Sequence, residues 1–253
     1  MATVTAIYIT YQCLEQDYCI VPSIRSVLPV VDKVLINDGG STDGTKNAIV
    51  NIGSPKVHIT TRKWKHDKGF WARERNFLIE QVDTDWILLV DGDEALHEED
   101  YPKIRRAIAS DNKAFAFKII HFFGNPNTVA DGRPWYTKHC RLWRKNTGIR
   151  LGKNGNCADD ILFPNGRSAH YWGAADSGCR IFYYGWARSP VAQGRKLRRV
   201  RAIYHGSNEF EDGKLPPPAK YVYPPGGKPF TGTHPKVMSS WVKAHGGTHV
   251  QGE

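Results

Sequence analysis

The chain has 253 residues, of which 40% are hydrophobic, and it carries a formal net charge of +10. This length suits one large α/β domain with or without an extension, and no apolar run is long enough for a transmembrane helix. Because the start Met1-Ala2-Thr3-Val4 lacks the basic region of a signal peptide, and five cysteines form no Cys-x-x-Cys pair, we predict a cytoplasmic protein, in the host cytoplasm if the source is viral.

The first part of the chain alternates short apolar strands with helical patterns. Strands are predicted at residues 4–9, 34–36, 56–60 and 86–90, and helices at residues 20–28 and 71–82. A further helix is predicted after residue 40, with Ser41, Thr42 or Asp43 as its N-cap. Strands that alternate with helices indicate a mostly parallel sheet.

The strand at 86–90 ends abruptly at Asp91-Gly92-Asp93. In open α/β sheets, ligands bind just beyond the carboxyl ends of the strands. Residues two apart on an extended segment point the same way, so Asp91 and Asp93 are expected to face one point. Two carboxylates at this spacing suit Mg²⁺ or Mn²⁺, which would also hold phosphate oxygens. The alternative is a polar Asp-Gly turn without a ligand.

Asp38 follows the strand at 34–36, so it is expected at the same rim of the sheet. A carboxylate there can accept hydrogen bonds from a base or from ribose hydroxyls. The alternative is a turn residue that binds its own backbone. No Gly-x-Gly-x-x-Gly follows the first strand and no Gly-Lys-Ser/Thr occurs, which argues against dinucleotide-binding and P-loop proteins.

Two long motifs resemble those of one enzyme family. Residues 38–45 resemble the Asp-x-Gly-Ser-x-Asp-Gly-Thr run of family-2 type glycosyltransferases with the GT-A fold, and residues 85–94 resemble the run that carries their Asp-x-Asp metal motif. Arg75-Asn76 resembles an element that lies between them. The resemblance implies an α/β, Rossmann-like, mostly parallel central sheet flanked by helices. Its donor half would be residues 1–112 and its acceptor half residues 113–206.

The resemblance also implies an activity and a set of roles. The enzyme would be metal-dependent and would move a sugar, such as a hexose, from a nucleotide-sugar to an acceptor hydroxyl, with a UDP-sugar as the expected donor. Asp38 would contact the nucleoside. Asp91 would lie near the ribose and the metal, and Asp93 would bind Mn²⁺ or Mg²⁺ at the diphosphate. Arg75 would lie near the donor phosphates; its alternative is pairing on a helix surface.

The acceptor half is expected to supply a general base. Residues 141–144, Arg-Leu-Trp-Arg, resemble a strand of relatives that modify lipopolysaccharide cores and then carry a His-Glu pair, where this chain has Asp159-Asp160. An inverting transfer needs a base to deprotonate the acceptor. Adjacent residues on an extended segment point to opposite faces, so only one would serve. We favour Asp160, which takes the place of the glutamate; the alternative is a surface turn.

Two features of the later chain depart from the family pattern. Tyr183 stands where many relatives have a histidine that completes the metal shell, so His170 or His205 is the candidate substitute. Residues 207–253 form a Pro/Gly-rich C-terminal extension, with a short helix predicted after Thr233-His234-Pro235. This extension is expected either to pack on the catalytic domain or to act as a mobile arm over the donor site.

The basic charge predicts an anionic acceptor. The run Arg195, Lys196, Arg198, Arg199 and Arg201 contains no acid, and such a run, with tryptophans nearby, can hold phosphates and stack bases. The first hypothesis is therefore transfer to a hydroxymethylated base in DNA. The second is a transferase for lipopolysaccharide or another surface glycan, and the third a non-catalytic nucleotide-sugar-binding module. DNA binding would discriminate the first from the second.

Overall fold

The computed structural model describes residues 2–67, 69–130, 137–154, 157–169, 173–205, 220–223 and 226–247. The strands in these ranges are β1 (Val4–Thr10), β2 (Lys33–Asp38), β3 (Val57–Thr61), β4 (Trp86–Leu89), β5 (Glu94–Leu96), β6 (Ala114–Phe123), β7 (Asn125–Val129), β8 (Lys138–Arg144), β9 (Arg150–Asn154), β10 (Cys157–Leu162), β11 (Ala175–Trp186) and β12 (Lys228–Pro229). The helices are α1 (Ile20–Val27), α2 (Thr45–Val50), α3 (Phe70–Gln81), α4 (Tyr101–Ile108), α5 (Pro190–His205) and α6 (Ser239–His245). No helix in the described ranges is long and apolar enough to cross a lipid bilayer.

The first half of the sheet is parallel. Strands β4, β1, β2 and β3 lie side by side in that order, and each neighbouring pair is parallel. Strand β4 is buried along its whole length because helices cover both faces of the sheet. Trp86 and Leu88 pack in the cluster that contains Ile24 of α1, whereas Ile87 and Leu89 pack with Leu78 of α3. The predicted α/β fold is confirmed.

The second half of the sheet is mixed. Strand β8 lies antiparallel beside β4 and beside β6, while β11 runs parallel to β6 and antiparallel to β5. The mostly parallel pairing expected from the sequence is therefore observed in the first half, whereas in the second half β11 and β6 are the one parallel pair among the described strands. Antiparallel strands need no helical crossover, and residues 114–186 contain none within the described residues. Strands β9 and β10 form a separate antiparallel hairpin.

Helix α2, which follows the loop after β2, begins later in the chain than the sequence predicted. Helix α2 has Gly44 as its N-cap, with φ 91°, a left-handed value that favours glycine. Ser41 is not the cap because its hydroxyl donates to Asp38 at 2.7 Å. Asp43 lies one residue before the cap, yet its carboxylate still accepts the N–H of Thr45 at 3.0 Å. The expected N-cap at Ser41, Thr42 or Asp43 is therefore wrong by at least one position.

The described part of the C-terminal segment packs on the second half of the sheet. Met238 is fully buried in a cluster with Phe122 and Tyr184. The Tyr184 hydroxyl lies 2.8 Å from His234 Nδ1, and β12 pairs with β7. These contacts agree with the packing alternative for residues 226–247. The domain boundary at residue 207 stays a prediction, because residues 206–219 lie outside the described ranges.

Docking of α6 is expected to depend on pH through His245. Its Nε2 lies 2.8 Å from Asp17 Oδ1 and its Nδ1 lies 2.7 Å from the Trp241 carbonyl oxygen. Both ring nitrogens face acceptors, and only the protonated ring donates from both. Burial lowers the pKa of His245, but the hydrogen bonds to Asp17 and Trp241 and the charge of Asp17 together outweigh it, so the pKa is raised. Partial burial raises the pKa of Asp17, yet the hydrogen bonds from His245 and from the Ser189 N–H hold that pKa below the usual value.

When the pKa of a histidine is higher in the folded state than in the unfolded state, protonation of that histidine stabilises the fold. This stabilisation is complete below the unfolded-state pKa, about 6.5, and is lost as the pH rises through the folded-state pKa. We therefore expect amide hydrogen exchange in α6, corrected for the intrinsic rate, to be slower below pH 6.5 than above neutrality. The His245→Gln variant should lack this difference. Equal protection at both pH values in the wild type would contradict the prediction.

Candidate functional site

A cavity of about 180 Å³ lies beyond the carboxyl ends of β1 and β4. This is the position at which open α/β sheets bind ligands. Its lining combines carboxyl groups, cationic groups and aromatic rings, namely Tyr11, Gln16, Tyr18, Trp64, Trp71, Arg75, Asp91, Asp93, Glu94, Tyr183, Lys196 and Arg199 with smaller and apolar neighbours. The structure therefore brings Asp91, Asp93 and Arg75 of the predicted site together at one cavity.

Asp91 is held by two arginines. Arg75 Nη2 donates to Asp91 Oδ1 at 2.6 Å, and Arg141 Nη1 lies 3.8 Å from Oδ2. Burial would raise the pKa of Asp91, but the charges of Arg75 and Arg141 outweigh it and lower the pKa. Asp91 is thus an anion at neutral pH. Arg75 pairs with it while also lining the cavity, so both alternatives weighed for Arg75 remain compatible with its position.

Asp93 is buried and contacts two cationic side chains. Its Oδ2 accepts from Arg188 Nη2 at 2.7 Å and from Lys196 Nζ at 3.3 Å. Gly185 makes this arrangement possible, because a Cβ at residue 185 would lie 2.5 Å from the same oxygen and 2.4 Å from the Tyr183 hydroxyl. No side chain other than hydrogen fits there without displacing the Asp93 carboxylate or Tyr183.

Helix α5 brings to the cavity two cationic side chains, Lys196 and Arg199, that the sequence analysis assigned to acceptor binding. Lys196 Nζ donates to the Tyr183 hydroxyl at 2.9 Å and to the Gly185 carbonyl at 3.2 Å. Burial lowers the pKa of Lys196 to about 8. Arg199 Nη1 donates to Gln16 Oε1 at 3.2 Å, and its guanidinium lies 4.8 Å from the centre of the Tyr11 ring.

The basic run 195–201 does not form a single exposed surface. Arg195 and Arg199, which are one helical turn apart, are buried, and Lys196 reaches the cavity. Arg198 and Arg201 are exposed. The expectation that this whole run contacts the acceptor is therefore wrong for the three residues that turn inward. Helical periodicity within the run was the signal that could have separated them.

Glu94 and Arg141 are site residues that sequence reasoning did not single out. Both are buried, and Arg141 Nη2 donates to Glu94 Oε1. Glu94 Oε2 also accepts the backbone N–H of Asp91 at 3.0 Å. Burial raises the pKa of Glu94 to about 8. The Glu94–Arg141 pair therefore fixes the backbone of Asp91 and the side chain of Arg141 just beyond the end of β4.

Aromatic side chains form one wall of the cavity. The ring centroids of Tyr11 and Trp64 are 6.1 Å apart, and Trp64 Nε1 donates to Asn37 Oδ1 at 3.2 Å. Gly39 passes directly against this wall, since a Cβ there would lie 2.6 Å from the Trp64 ring. Flat apolar rings beside fixed cations can hold a planar, anionic ligand.

Asp38 is fully buried and is not among the residues that line the cavity. Its Oδ1 accepts the N–H groups of Gly40 at 3.0 Å and Ser41 at 2.8 Å. Its Oδ2 accepts from the hydroxyls of Thr10 at 2.9 Å and Ser41 at 2.7 Å. These contacts are those of the turn alternative, and they shape the loop next to Trp64. The contact of Asp38 with a nucleoside stays a prediction.

The candidate base lies apart from the cavity lining. Asp160 is buried on β10, and its Oδ1 accepts from the Ser168 hydroxyl at 2.9 Å. The side chain of Asp159 lies outside the described residues, as do the whole of His170 and the side chain of His205. The roles assigned to these four residues stay predictions. Tyr183 lines the cavity and contacts Lys196.

The carboxylates as arranged do not fit a divalent ion. Within the described ranges, no three His, Cys, Asp or Glu side chains come together as a candidate metal site. Mg²⁺ and Mn²⁺ favour octahedral sets of oxygen ligands, whereas Asp91 and Asp93 each contact guanidinium or ammonium groups. The requirement for Mn²⁺ or Mg²⁺ stays a prediction.

Comparison with known proteins gives a consistent family and fold. The family model described as Glycosyl transferase family 2 matches residues 6–168. The SPbeta prophage-derived glycosyltransferase SunS of Bacillus subtilis is 26% identical over 133 residues, which are 51% of this chain and 28% of that protein. An uncharacterized glycosyltransferase of Rickettsia felis is 26% identical over 200 residues, which are 71% of this chain and 68% of that protein. The chain thus spans less than a third of the Bacillus relative.

A solved structure shares the fold. The crystal structure of S. aureus TarS 1-349 aligns with a TM-score of 0.50 at 16% identity, covering 83% of this chain and 67% of that chain. At this level of identity the similarity concerns the fold alone.

Proposed function

The chain belongs to glycosyl transferase family 2, and from this premise we propose that it transfers a sugar from a UDP-sugar to an acceptor hydroxyl. The observation that carries the proposal is the cavity at the ends of β1 and β4. It combines the anionic pair Asp91 and Asp93, the cations Lys196 and Arg199, and an aromatic wall. Such a cavity suits a nucleoside diphosphate, because the base needs a flat surface and the diphosphate needs positive charge.

The proposed reaction is an inverting displacement. The acceptor oxygen forms a bond to the anomeric carbon, and its proton passes to a general base. The bond between that carbon and the diphosphate oxygen breaks, and its electron pair leaves with the nucleoside diphosphate. Lys196 and Arg199 are placed to stabilise the leaving group, since charge-assisted hydrogen bonds to phosphate are strong. Asp160 is the proposed base.

We propose an anionic acceptor, with a hydroxymethylated base in DNA as the first candidate. Arg198 and Arg201 are the members of the basic run that face solvent, on the same helix as Lys196. Two exposed arginines can contact only a few phosphate groups, so DNA binding should be weak and sensitive to salt. A surface glycan carrying phosphate would present the same charge, and the test separates the two acceptors.

The test is release of nucleotide from UDP-, GDP- and TDP-sugars, with and without duplex DNA that contains hydroxymethylated bases. We expect the UDP-sugars to be cleaved fastest and the sugar to appear on the DNA by mass spectrometry. Unmodified DNA of the same sequence is the control acceptor. UDP release that modified DNA does not accelerate would favour the surface glycan, and UDP binding without any turnover would favour a non-catalytic binding module.

A further inference from the structure

We propose that Lys196 and Arg199 supply the positive charge for the donor diphosphate, so that donor binding needs no divalent cation. This inference rests on the proposed function and deepens it, because it concerns how the same cavity holds its nucleotide. It departs from the metal site that the Asp91 and Asp93 motif predicts. Two sets of contacts and the balance of charge at the cavity support this inference.

The first set concerns Asp93, the predicted metal ligand. Arg188 Nη2 and Lys196 Nζ both contact its Oδ2, at 2.7 and 3.3 Å. Arg188 is fully buried, and its other terminal nitrogen donates to the Gln16 carbonyl at 3.0 Å while its guanidinium lies 4.2 Å from the centre of the Tyr18 ring. A divalent ion on Asp93 would meet two cations at short range in a poorly solvated site, where like charges repel strongly.

The second set concerns Lys196, which is held in place at the cavity. Its ammonium group donates to Asp93, to the Tyr183 hydroxyl at 2.9 Å and to the Gly185 carbonyl at 3.2 Å. An ammonium has three protons for donation, and it gains by exchanging a neutral acceptor for a phosphate oxygen. Tyr183, which stands at the sequence position where many relatives have a histidine, thus accepts a hydrogen bond from Lys196.

The third observation concerns the balance of charge at the cavity. Five cationic side chains line the cavity or contact its carboxyl groups within the described residues, namely Arg75, Arg141, Arg188, Lys196 and Arg199. They face three carboxyl groups, those of Asp91, Asp93 and Glu94. The excess is at least two positive charges, which is the charge that a single divalent ion would bring. The site therefore already contains the counter-charge that a diphosphate requires.

These groups also suit the transfer step. As the bond between the anomeric carbon and the diphosphate oxygen breaks, its electron pair adds negative charge to the leaving group. Fixed cations at that point stabilise the charge without reorganising. In this arrangement Asp93 acts as a positioning residue, because it orients Lys196 and Arg188.

The test is calorimetric titration of UDP into the full chain, once with excess EDTA and once with Mn²⁺. We expect the two dissociation constants of the wild type to agree within about threefold, and titration of Mn²⁺ alone to give no binding isotherm. Lys196→Met should weaken UDP binding in EDTA by about ten- to hundredfold, since a hydrogen bond to a charged group is lost. Lys196→Arg should retain most of the affinity.

Lys243→Gln is the matched control, because it removes one positive charge from an exposed position that does not line the cavity. It should bind UDP like the wild type, and circular dichroism should show all variants folded. UDP binding that requires Mn²⁺ in the wild type would overturn the inference and leave the proposed function intact. An absence of UDP binding under both conditions would overturn the proposed function and the inference with it.

Discussion

Replacement of Asp93 with alanine is expected to lower the free energy of unfolding by about 3–5 kcal/mol, because it leaves a buried cation without its partner. Arg188 is fully buried, and its Nη2 donates to Asp93 at 2.7 Å. Removing the carboxylate also frees Lys196 from one of its three acceptors. Transfer activity should be lost together with stability. The measurement is equilibrium unfolding in urea, with UDP binding assayed below the transition.

Asp83 offers the matched control for this variant. It pairs with Lys33 at 2.6 Å, yet its side chain is 65% exposed. An exposed ion pair contributes little to stability, so Asp83→Ala should be nearly neutral. The double variant Asp93→Ala, Arg188→Met should recover part of the stability, since it removes the unpaired charge. If Asp93→Ala were as stable as Asp83→Ala, the ion pair with Arg188 would not exist in solution.

Replacement of Asp160 with asparagine is expected to reduce transfer by about 10²–10⁴-fold, the usual contribution of a general base. UDP binding should be unchanged, because Asp160 is not among the residues that line the donor cavity. Asparagine keeps an acceptor oxygen for the Ser168 hydroxyl, which now donates to Asp160 Oδ1 at 2.9 Å. The measurement is kcat for sugar transfer, with UDP affinity determined in parallel.

Asp159→Asn is the control for the second variant, since it changes the neighbouring acid in the same way. It should keep most of the activity. If the Asp159 variant were inactive and the Asp160 variant active, the base would be Asp159. Full activity in both would place the base elsewhere or indicate a retaining mechanism.

The sequence was sufficient to predict the first half of the fold. Continuous apolar strands such as 86–90 and the helical spacing at 20–28 are local patterns, and local patterns are read directly from the chain. The position of Asp91 and Asp93 at the ligand-binding edge of the sheet was predicted from the rule that ligands bind beyond the carboxyl ends of parallel strands. Arg75 at that rim was predicted from a resemblance and is observed beside Asp91.

The second half of the sheet could be predicted less fully from the sequence. Whether a strand such as β8 pairs beside β4, and in which direction, depends on residues far apart in sequence. Its amino-acid pattern predicts an extended segment but not its neighbour. The burial of Asp38 within its own turn depends on hydrogen bonds from Thr10 and Ser41, and Thr10 lies 28 residues earlier in the chain.

By itself, the sequence determined the family, the parallel strands and the two carboxylates at the cavity. Tertiary structure alone decided what those carboxylates contact. Arg188 and Lys196 lie 95 and 103 residues beyond Asp93, and nothing in their local sequence indicates that they would meet it. The inward turn of Lys196 and Arg199 depends on how α5 packs over the cavity. The physical reason is that composition sets the number of charges, whereas the fold sets which charges are desolvated together.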